Sequence, residues 1–397
     1  MYTEQMQAAL DFIQQIAVGL ILFGHAITLP FLSFIEPVQY RSTGSYEARV
    51  DVASAAATSS ATTKLFPVAD TVRTSATSSA SGSLRSAPQQ DVATASSTPV
   101  VVTAKPVTLL PQSVVNDSAR AALVNIFCTT KGGGSFNPIS GSGVLITKNG
   151  VILTNAHVGQ YFLLRDYAVP NNIDCRIRTG SPAQNMYRAE LLYLPPAWIN
   201  ANASQIVAQT AMGTGENDYA FLRITSPIDT SKKLPETFPA IAMTTNDPTR
   251  AEPVLLAGYP AGFISGITIE TSLYISTALT QTTEVFAFDD RGEADLVSLG
   301  GSVVAQSGSS GGAVVRQQDG ALQAIIATET QTTEGKSTDT KDLHAITLGH
   351  IDRALQQAGM GGIAKLLSGD LSAKAADFAK NTAPSERQKL FDVLNKR

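Results

Sequence analysis

Three short segments of the chain carry residue types that together can cleave an acyl bond. His157 stands in LTNAHVG, Asp218 opens the apolar run of GENDYAFLRI, and Ser310 lies in GSSGG. A serine hydroxyl is a weak nucleophile unless a general base accepts its proton. An imidazole can accept that proton, and a carboxylate beside the ring fixes its tautomer and stabilises its protonated form. The three residues therefore form a candidate set for nucleophilic catalysis.

The glycines around Ser310 strengthen this interpretation. In AQSGSSGGAVV (residues 305–315) they remove side chains from the surroundings of one hydroxyl. Backbone N–H groups can then converge on an oxyanion that develops during acyl transfer. The expected donors are the amides of Gly308 and Ser310. A Gly/Ser-rich loop without partners is more often a surface turn, so the prediction depends on His157 and Asp218 being brought to it.

The elements that must position these residues read as β-strands. GVLITKNGVILTN and GAVVRQQDGALQAIIAT each hold two β-rich runs around Asn-Gly or Asp-Gly, which are strong hairpin signals. Further strand-like runs are AELLYL, YAFLRI, PVLLAGY, ITIETSLYIST and TEVFAFD. Their number and spacing predict an all-β barrel or sandwich, without the alternating helices of a parallel α/β sheet. Helical periodicity returns only in GHIDRALQQAG and PSERQKLFDVLNK, near the end of the chain.

Composition limits the classes of function. A formal net charge of −4 and scattered Lys and Arg residues give no basic surface for nucleic acid, so no nucleic-acid partner is expected. The chain has only two cysteines, Cys128 and Cys175, too few for a four-ligand zinc site or a disulfide scaffold. They are either two buried free thiols or one disulfide, and a disulfide would require an oxidising compartment.

Three sequence blocks resemble the signature segments of trypsin-like (chymotrypsin-fold) serine proteases. SGSGVLITKNGVILTNAHV, NDYAFLRI and SGSSGGAVV occur in the family's order, and the resemblance covers about residues 115 to 355. Within this family, the three blocks most resemble those of the bacterial HtrA/Deg type. The resemblance implies two six-stranded antiparallel β-barrels with the active site between them. By that resemblance His157 is the general base and then acid, Asp218 its orienting carboxylate, and Ser310 the nucleophile.

The resemblance also implies a substrate-binding region. Family members bind the substrate as an added strand, which here would lie against Ala327, Thr328 and Glu329. The position that shapes the pocket for the P1 side chain falls on Val304 and predicts a small or medium apolar preference. Ser309 stands where the family usually has Asp or Asn. Protein or peptide substrates are expected, and neither a metal nor an organic cofactor is needed.

The N-terminal region predicts a membrane tether. Residues 16–35, IAVGLILFGHAITLPFLSFI, are about as long as a helix that crosses a bilayer and carry no Asp, Glu, Lys or Arg. A cleavable signal peptide is less favoured because no Lys or Arg precedes the run. A buried soluble helix is the other alternative. Arg41 and Arg49 follow the segment and favour a cytoplasmic location for the rest of the chain.

The predicted organisation has four parts: a transmembrane anchor (1–40), a Ser/Thr/Ala-rich disordered linker (41–112), the protease domain (113–358) and a helical tail (359–397). A protease on a low-charge stalk suits surface display, so an extracytoplasmic domain is expected despite the two arginines. Fewer than forty residues follow Gly359, so the PDZ domain usual in HtrA-type enzymes is expected to be absent. Packing on the barrels is the expected role of the tail.

Two other functions compete with the protease. GSSGG also fits the G-x-S-x-G elbow of an α/β-hydrolase esterase, whose acid and histidine follow the serine. The candidates for those two partners are Asp339, Asp342, His344, His350 and Asp352. The second alternative is a catalytically inactive protease-fold module that binds peptides on a membrane stalk.

Overall fold

The computed structural model describes residues 66–67, 108–131, 138–207, 215–262, 266–330 and 342–396, with the backbone alone for 66–67 and 328–330. The predicted anchor (1–40) lies outside these residues, as does most of the predicted linker. No helix within the described ranges is both long enough and apolar enough to span a bilayer.

The first module is a closed antiparallel barrel of six strands. Its strands follow the order β2-β3-β4-β7-β6-β5 around the barrel. Their bounds are β2 Leu123–Thr130, β3 Ile139–Leu145, β4 Val151–Thr154, β5 Ile173–Thr179, β6 Gln184–Tyr193 and β7 Ala220–Pro227.

The hairpin predicted around Asn149 and Gly150 joins β3 to β4 and is confirmed. Val144 pairs with Leu153 across the two strands. Gly150 has φ of +84°, the left-handed conformation that glycine adopts at little cost. All four residues of β4 are buried, in agreement with its apolar run Val151–Leu153.

The second module is a curled sheet of eight strands. Their order is β1-β10-β11-β14-β13-β12-β8-β9, and every pairing between these strands is antiparallel. Their bounds are β1 Phe66–Pro67, β8 Pro253–Gly258, β9 Ser276–Gln281, β10 Glu284–Ala287, β11 Leu296–Ser298, β12 Ala313–Arg316, β13 Leu322–Thr330 and β14 Asp342–Thr347. The hairpin predicted at Asp319-Gly320 joins β12 to β13 and is confirmed.

The prediction of a second six-stranded barrel, closed like the first, is only partly confirmed. Strands β9 and β10 are separated by two residues, yet β9 pairs with β8 and β10 pairs with β11. The amide of Thr282 still donates to Glu252 O on the β8 side (3.0 Å), whereas the amide of Thr283 donates to Ser298 O in β11 (2.9 Å). The chain changes partner at this point, so the sheet curls back towards its own edge without a continuous ladder.

Helices occupy the connections and the tail. Their bounds are α1 Gln112–Ala122, α2 Ala156–Gly159, α3 Pro196–Asn202, α4 Gly266–Thr271, α5 Leu348–Gln357, α6 Gly362–Leu366, α7 Leu371–Asp377 and α8 Ala383–Leu394. The prediction of helices in GHIDRALQQAG and PSERQKLFDVLNK is confirmed by α5 and α8. The prediction that ITIETSLYIST is one strand is wrong, because its first half forms α4 and only its last residues open β9.

The tail packs against the first barrel, as expected. The ring of Phe378, after α7, lies 6.2 Å from the ring of Tyr193 in β6. The ring of Phe391 in α8 lies 5.1 Å from that of Tyr167. Leu390 of α8 is fully buried. These apolar contacts make the tail part of the folded unit that carries the candidate site.

Candidate active site

His157 and Asp218 come together because their two strands are neighbours in the first barrel. Strand β4 ends at Thr154, and His157 lies in the first turn of α2 directly after it. Asp218 lies two residues before β7, which pairs with β4 so that Thr154 faces Ala220. The side-chain amide of Asn155 donates to the carbonyl of Asp218 (2.9 Å) and holds the two strand ends together.

The carboxylate of Asp218 binds His157 at two points. Its Oδ2 lies 2.8 Å from Nδ1 of the ring, and its Oδ1 accepts the backbone N–H of His157 at 2.9 Å. A carboxylate is an acceptor, so Nδ1 carries the proton and Nε2 keeps the lone pair that a general base needs. The side chains of His157 and Asp218 are 19% and 7% exposed.

The pKa of His157 lies above its usual value of 6.5. Burial of the ring is the largest effect and lowers the pKa, since it disfavours the charged form. The negative charge of Asp218 and its hydrogen bond to the ring together outweigh burial and raise it. This environment stabilises an imidazolium, the form that a general base takes after accepting a proton.

Ser310 lies on the loop of residues 307–312, here called the catalytic loop, just before β12. The carbonyl of Ser310 accepts the backbone N–H of Ser142 in β3 at 2.7 Å. Gly311 has φ of +82°, and a methyl group there would overlap Ser142 O and the hydroxyl of Thr154. The loop therefore lies directly against the strand end that precedes His157, and only glycine fits at this contact.

The amides of this loop show a selective pattern. The N–H groups of Ser309, Gly311 and Gly312 donate to Gln306 O, Ile326 O and Ser309 O, at 3.0, 2.8 and 2.8 Å. Among residues 308–312, only the N–H groups of Gly308 and Ser310 make no hydrogen bond within the described part of the chain. Gly308 is buried and Ser310 is half-buried. Two unpaired amides this close to the Ser310 hydroxyl are suited to bind an oxyanion.

The hydroxyl of Ser310 takes a different partner from the one expected. It donates to the carbonyl of Ala327 at 3.3 Å, a long hydrogen bond. Within the described residues, no hydrogen bond joins it to His157. The structure thus pairs His157 with Asp218 directly, and connects Ser310 to them through Ser142 and Thr154.

One family model matches part of the chain. The model for the trypsin-like peptidase domain matches residues 141–325. Together with the antiparallel barrel, this match supports a trypsin-like serine protease. A search of the curated proteins found no match. The matched residues begin in β3 beside Ser142 and end in β13, so they include His157, Asp218 and the whole catalytic loop.

The residues expected to bind substrate in the peptidase domain lie in two different environments. Val304 is fully buried in the core of the second sheet, so its side chain does not face a pocket in this structure. Ala327 is also buried, and only its carbonyl reaches Ser310. Thr328 and Glu329 continue β13 after an irregularity in its pairing with β14 between Ile326 and Thr328.

Cys128 and Cys175 form a disulfide in this structure. They face each other across β2 and β5, and the bond joins positions 47 residues apart in sequence. No group of three or more His, Cys, Asp or Glu side chains in the described residues could hold a metal ion.

Several residues that support the site in the peptidase domain were missed by sequence reasoning. Gln160 donates to the carbonyl of His157 at 2.9 Å, and Asn155 holds Asp218 as described above. Ser142 binds the catalytic loop, and buried Arg178 binds the connection that contains α4. Ser142 lies inside the SGSG block, but nothing in that block indicates a partner more than 160 residues away.

Proposed function

We propose that the chain is an active serine endopeptidase that cleaves peptide bonds through an acyl-enzyme. Ser310 is the nucleophile, His157 the general base and then acid, and Asp218 the carboxylate that orients and stabilises the imidazole. The amides of Gly308 and Ser310 bind the oxyanion. The match of residues 141–325 to the trypsin-like peptidase domain supports the reaction class. The two hydrogen bonds between His157 and Asp218 support their roles, and the unpaired amides support the oxyanion site.

The observation that carries this proposal is the pattern of paired and unpaired amides in the catalytic loop. Among residues 308–312 of this loop, three amides form hydrogen bonds, and the N–H groups of Gly308 and Ser310 make none in the described part of the chain. One such donor contributes about 3–4 kcal/mol to transition-state stabilisation in measured cases.

The reaction begins when Ser310 Oγ turns from Ala327 O towards Nε2 of His157 and transfers its proton there. Oγ then bonds to the substrate carbonyl carbon, and the carbonyl oxygen becomes an oxyanion held by the two amides. His157 gives the proton to the departing amine as the peptide C–N bond breaks. A water molecule, deprotonated by the same imidazole, then releases the acyl group and restores the serine.

Covalent labelling of the full chain with a fluorophosphonate probe tests this proposal. We expect one label, placed on Ser310 by mass spectrometry, and hydrolysis of a peptide library by the same preparation. Ser310→Ala should lose both signals and keep its circular dichroism spectrum. The matched control is Ser307→Ala, because Ser307 is an exposed serine of the same loop. Unchanged peptide hydrolysis in Ser310→Ala would refute the assignment.

An inactive peptide-binding module is the second candidate, and one observation favours it. The hydroxyl of Ser310 donates to Ala327 O instead of pairing with His157. If this arrangement persists, the folded chain stays unlabelled and cleaves no peptide. Labelling at Ser310 favours the enzyme. The esterase alternative does not fit, because it requires a parallel sheet and every ladder between named strands in the described part is antiparallel.

We further propose that residues 16–35 anchor the chain in a membrane and that the peptidase domain is extracytoplasmic. The apolar run supports the anchor, and the Cys128–Cys175 disulfide is compatible with an oxidising compartment. Extraction of membranes with alkaline carbonate should leave the full chain in the pellet and release a variant that lacks residues 16–35. External protease should digest the domain in intact cells, and protection from it would contradict the proposed orientation.

A further inference from the structure

We propose that Ser142 is a positioning residue that holds the catalytic loop in the conformation that binds an oxyanion. The inference rests on the proposed peptidase function and adds a residue outside the set of His157, Asp218 and Ser310. Ser142 lies in β3 of the first barrel and has no exposed surface.

Ser142 makes a hydrogen bond with every polar atom it has. Its N–H donates to Ser310 O (2.7 Å), and its hydroxyl donates to Gly308 O (2.7 Å). The same hydroxyl accepts the N–H of Tyr259 (2.9 Å), and its carbonyl accepts the hydroxyl of Thr154 (2.7 Å). The side chain of Ser142 thus contacts the catalytic loop and the chain after β8, and its backbone carbonyl contacts the strand that leads to His157.

The bond to Gly308 O fixes a glycine that otherwise turns easily. Gly308 has φ of +92°, and glycine reaches both signs of φ at similar energy. Its carbonyl is held on one side by Ser142, while the adjoining amide of Ser309 donates to Gln306 O. Since the peptide unit is planar, these two contacts together set the orientation of the Gly308–Ser309 peptide.

The bond to Tyr259 acts on the preceding peptide. Ala261, two residues after Tyr259, donates its N–H to Ser307 O at 2.7 Å. In a trans peptide the C=O and N–H point in opposite directions, so this contact turns the N–H of Gly308 away from Ala261. The hydroxyl of Ser142 therefore orients both peptides that flank Gly308, one directly and one through Tyr259–Ala261.

The proposal predicts a defect in turnover that is larger than the defect in folding. Ser142→Ala keeps the backbone bond to Ser310 but leaves Gly308 O and the N–H of Tyr259 without their partner. We expect kcat to fall about 10- to 100-fold, less than loss of an oxyanion donor itself, with KM changed less than about threefold. Affinity for a peptide boronate, which forms a charged tetrahedral adduct with the serine, should fall in parallel with kcat.

Ser140→Ala is the matched control. Ser140 lies two residues earlier, on the same face of β3, and its hydroxyl accepts from the side-chain amide of Asn125 at 2.9 Å. Its side chain makes no hydrogen bond to the catalytic loop in the described structure. We expect this variant to keep kcat within about twofold of the parent.

Active-site titration of the full chain separates positioning from folding. A positioning role lowers kcat per titrated site, whereas a purely structural role lowers the number of titratable sites and leaves kcat per site unchanged. The second result, or a kcat in Ser142→Ala within twofold of Ser140→Ala, overturns the inference. If Ser142→Ala does not fold, Ser142→Cys retains a similar volume with a weaker donor and decides by the same criterion. A parent chain that neither turns over nor labels instead refutes the proposed function.

Discussion

Replacement of Arg178 should be among the most destabilising single changes in this protein. Arg178 is 1% exposed, and its guanidinium donates to Ile269 O, Glu270 O, Ala183 O and Asn125 Oδ1 at 2.9, 2.7, 2.8 and 3.3 Å. Burial lowers the pKa of Arg178, because it disfavours the charged form. No carboxylate of the described residues forms an ion pair with Arg178. The negative charge of Glu270 and the carbonyl dipoles, including those at the end of α4, offset its positive charge.

The expected loss in Arg178→Met follows from these acceptors. The bonds to Ala183 O and Asn125 Oδ1 are fully buried, whereas those to Ile269 O and Glu270 O are partly open to water. Each buried acceptor left without a partner costs about 1–3 kcal/mol, which gives about 2–6 kcal/mol for the two. Met regains part of this by filling the space and removing a buried charge. We therefore expect the free energy of unfolding to fall by about 3 kcal/mol.

Urea unfolding of the full chain measures this change, with Arg176→Met as control. Arg176 is two residues away with its side chain 31% exposed, and its partner Asp174 keeps a second ion pair with Arg188. We expect the control to lose less than about 1 kcal/mol. The reasoning fails if Arg178→Met loses less than about 1 kcal/mol, or no more than the control, with an unchanged slope against urea.

Three further changes test the site and the first barrel. The pKa of His157 lies above 6.5, and only the neutral imidazole can accept the proton. We therefore expect kcat/KM to fall as the pH drops, with a midpoint above pH 6.5. A midpoint below pH 6.5 would contradict the effect of Asp218 on His157. Gly311→Ala should abolish fluorophosphonate labelling, because the added methyl group would overlap Ser142 O. The control is Gly292→Ala, because Gly292 also has a positive φ (+73°) but no neighbour within 4 Å of the added methyl group. We expect the control to lose only about 1–2 kcal/mol of stability and to keep its labelling. Replacing Cys128 and Cys175 together with Ala should lower the free energy of unfolding, measured in urea, by about 2–4 kcal/mol. An unchanged free energy of unfolding would show that the disulfide does not stabilise the fold by restricting the unfolded chain.

Local chemistry explains which elements could be predicted from the sequence. Gly150 and Gly320 both adopt positive φ at the predicted hairpin turns, with φ of +84° and +70°. Gly359, with φ of +76°, follows α5 where its helical pattern stops. Each of these signals depends on residues within a few positions of one another. They can therefore be recognised without knowing which distant segments the chain contacts.

Elements that depend on distant partners were predicted less well. ITIET has the alternation of a strand, yet it forms α4, whose last carbonyls bind Arg178 from the first barrel. This contact overrides a local β preference. The break between β9 and β10 likewise depends on two different neighbouring strands, β8 and β11.

The sequence by itself identified the candidate reacting groups: an imidazole, a carboxylate and a hydroxyl, each in a distinctive local segment with glycines around the last. Only the tertiary structure decided what holds them. The side-chain bond from Ser142 to Gly308 spans 166 positions, and that from Arg178 to Glu270 spans 92. Nothing local encodes a hydrogen bond between segments that meet only when the two sheets pack together. The residue types could therefore be identified from the chain, and the partners that orient them could not.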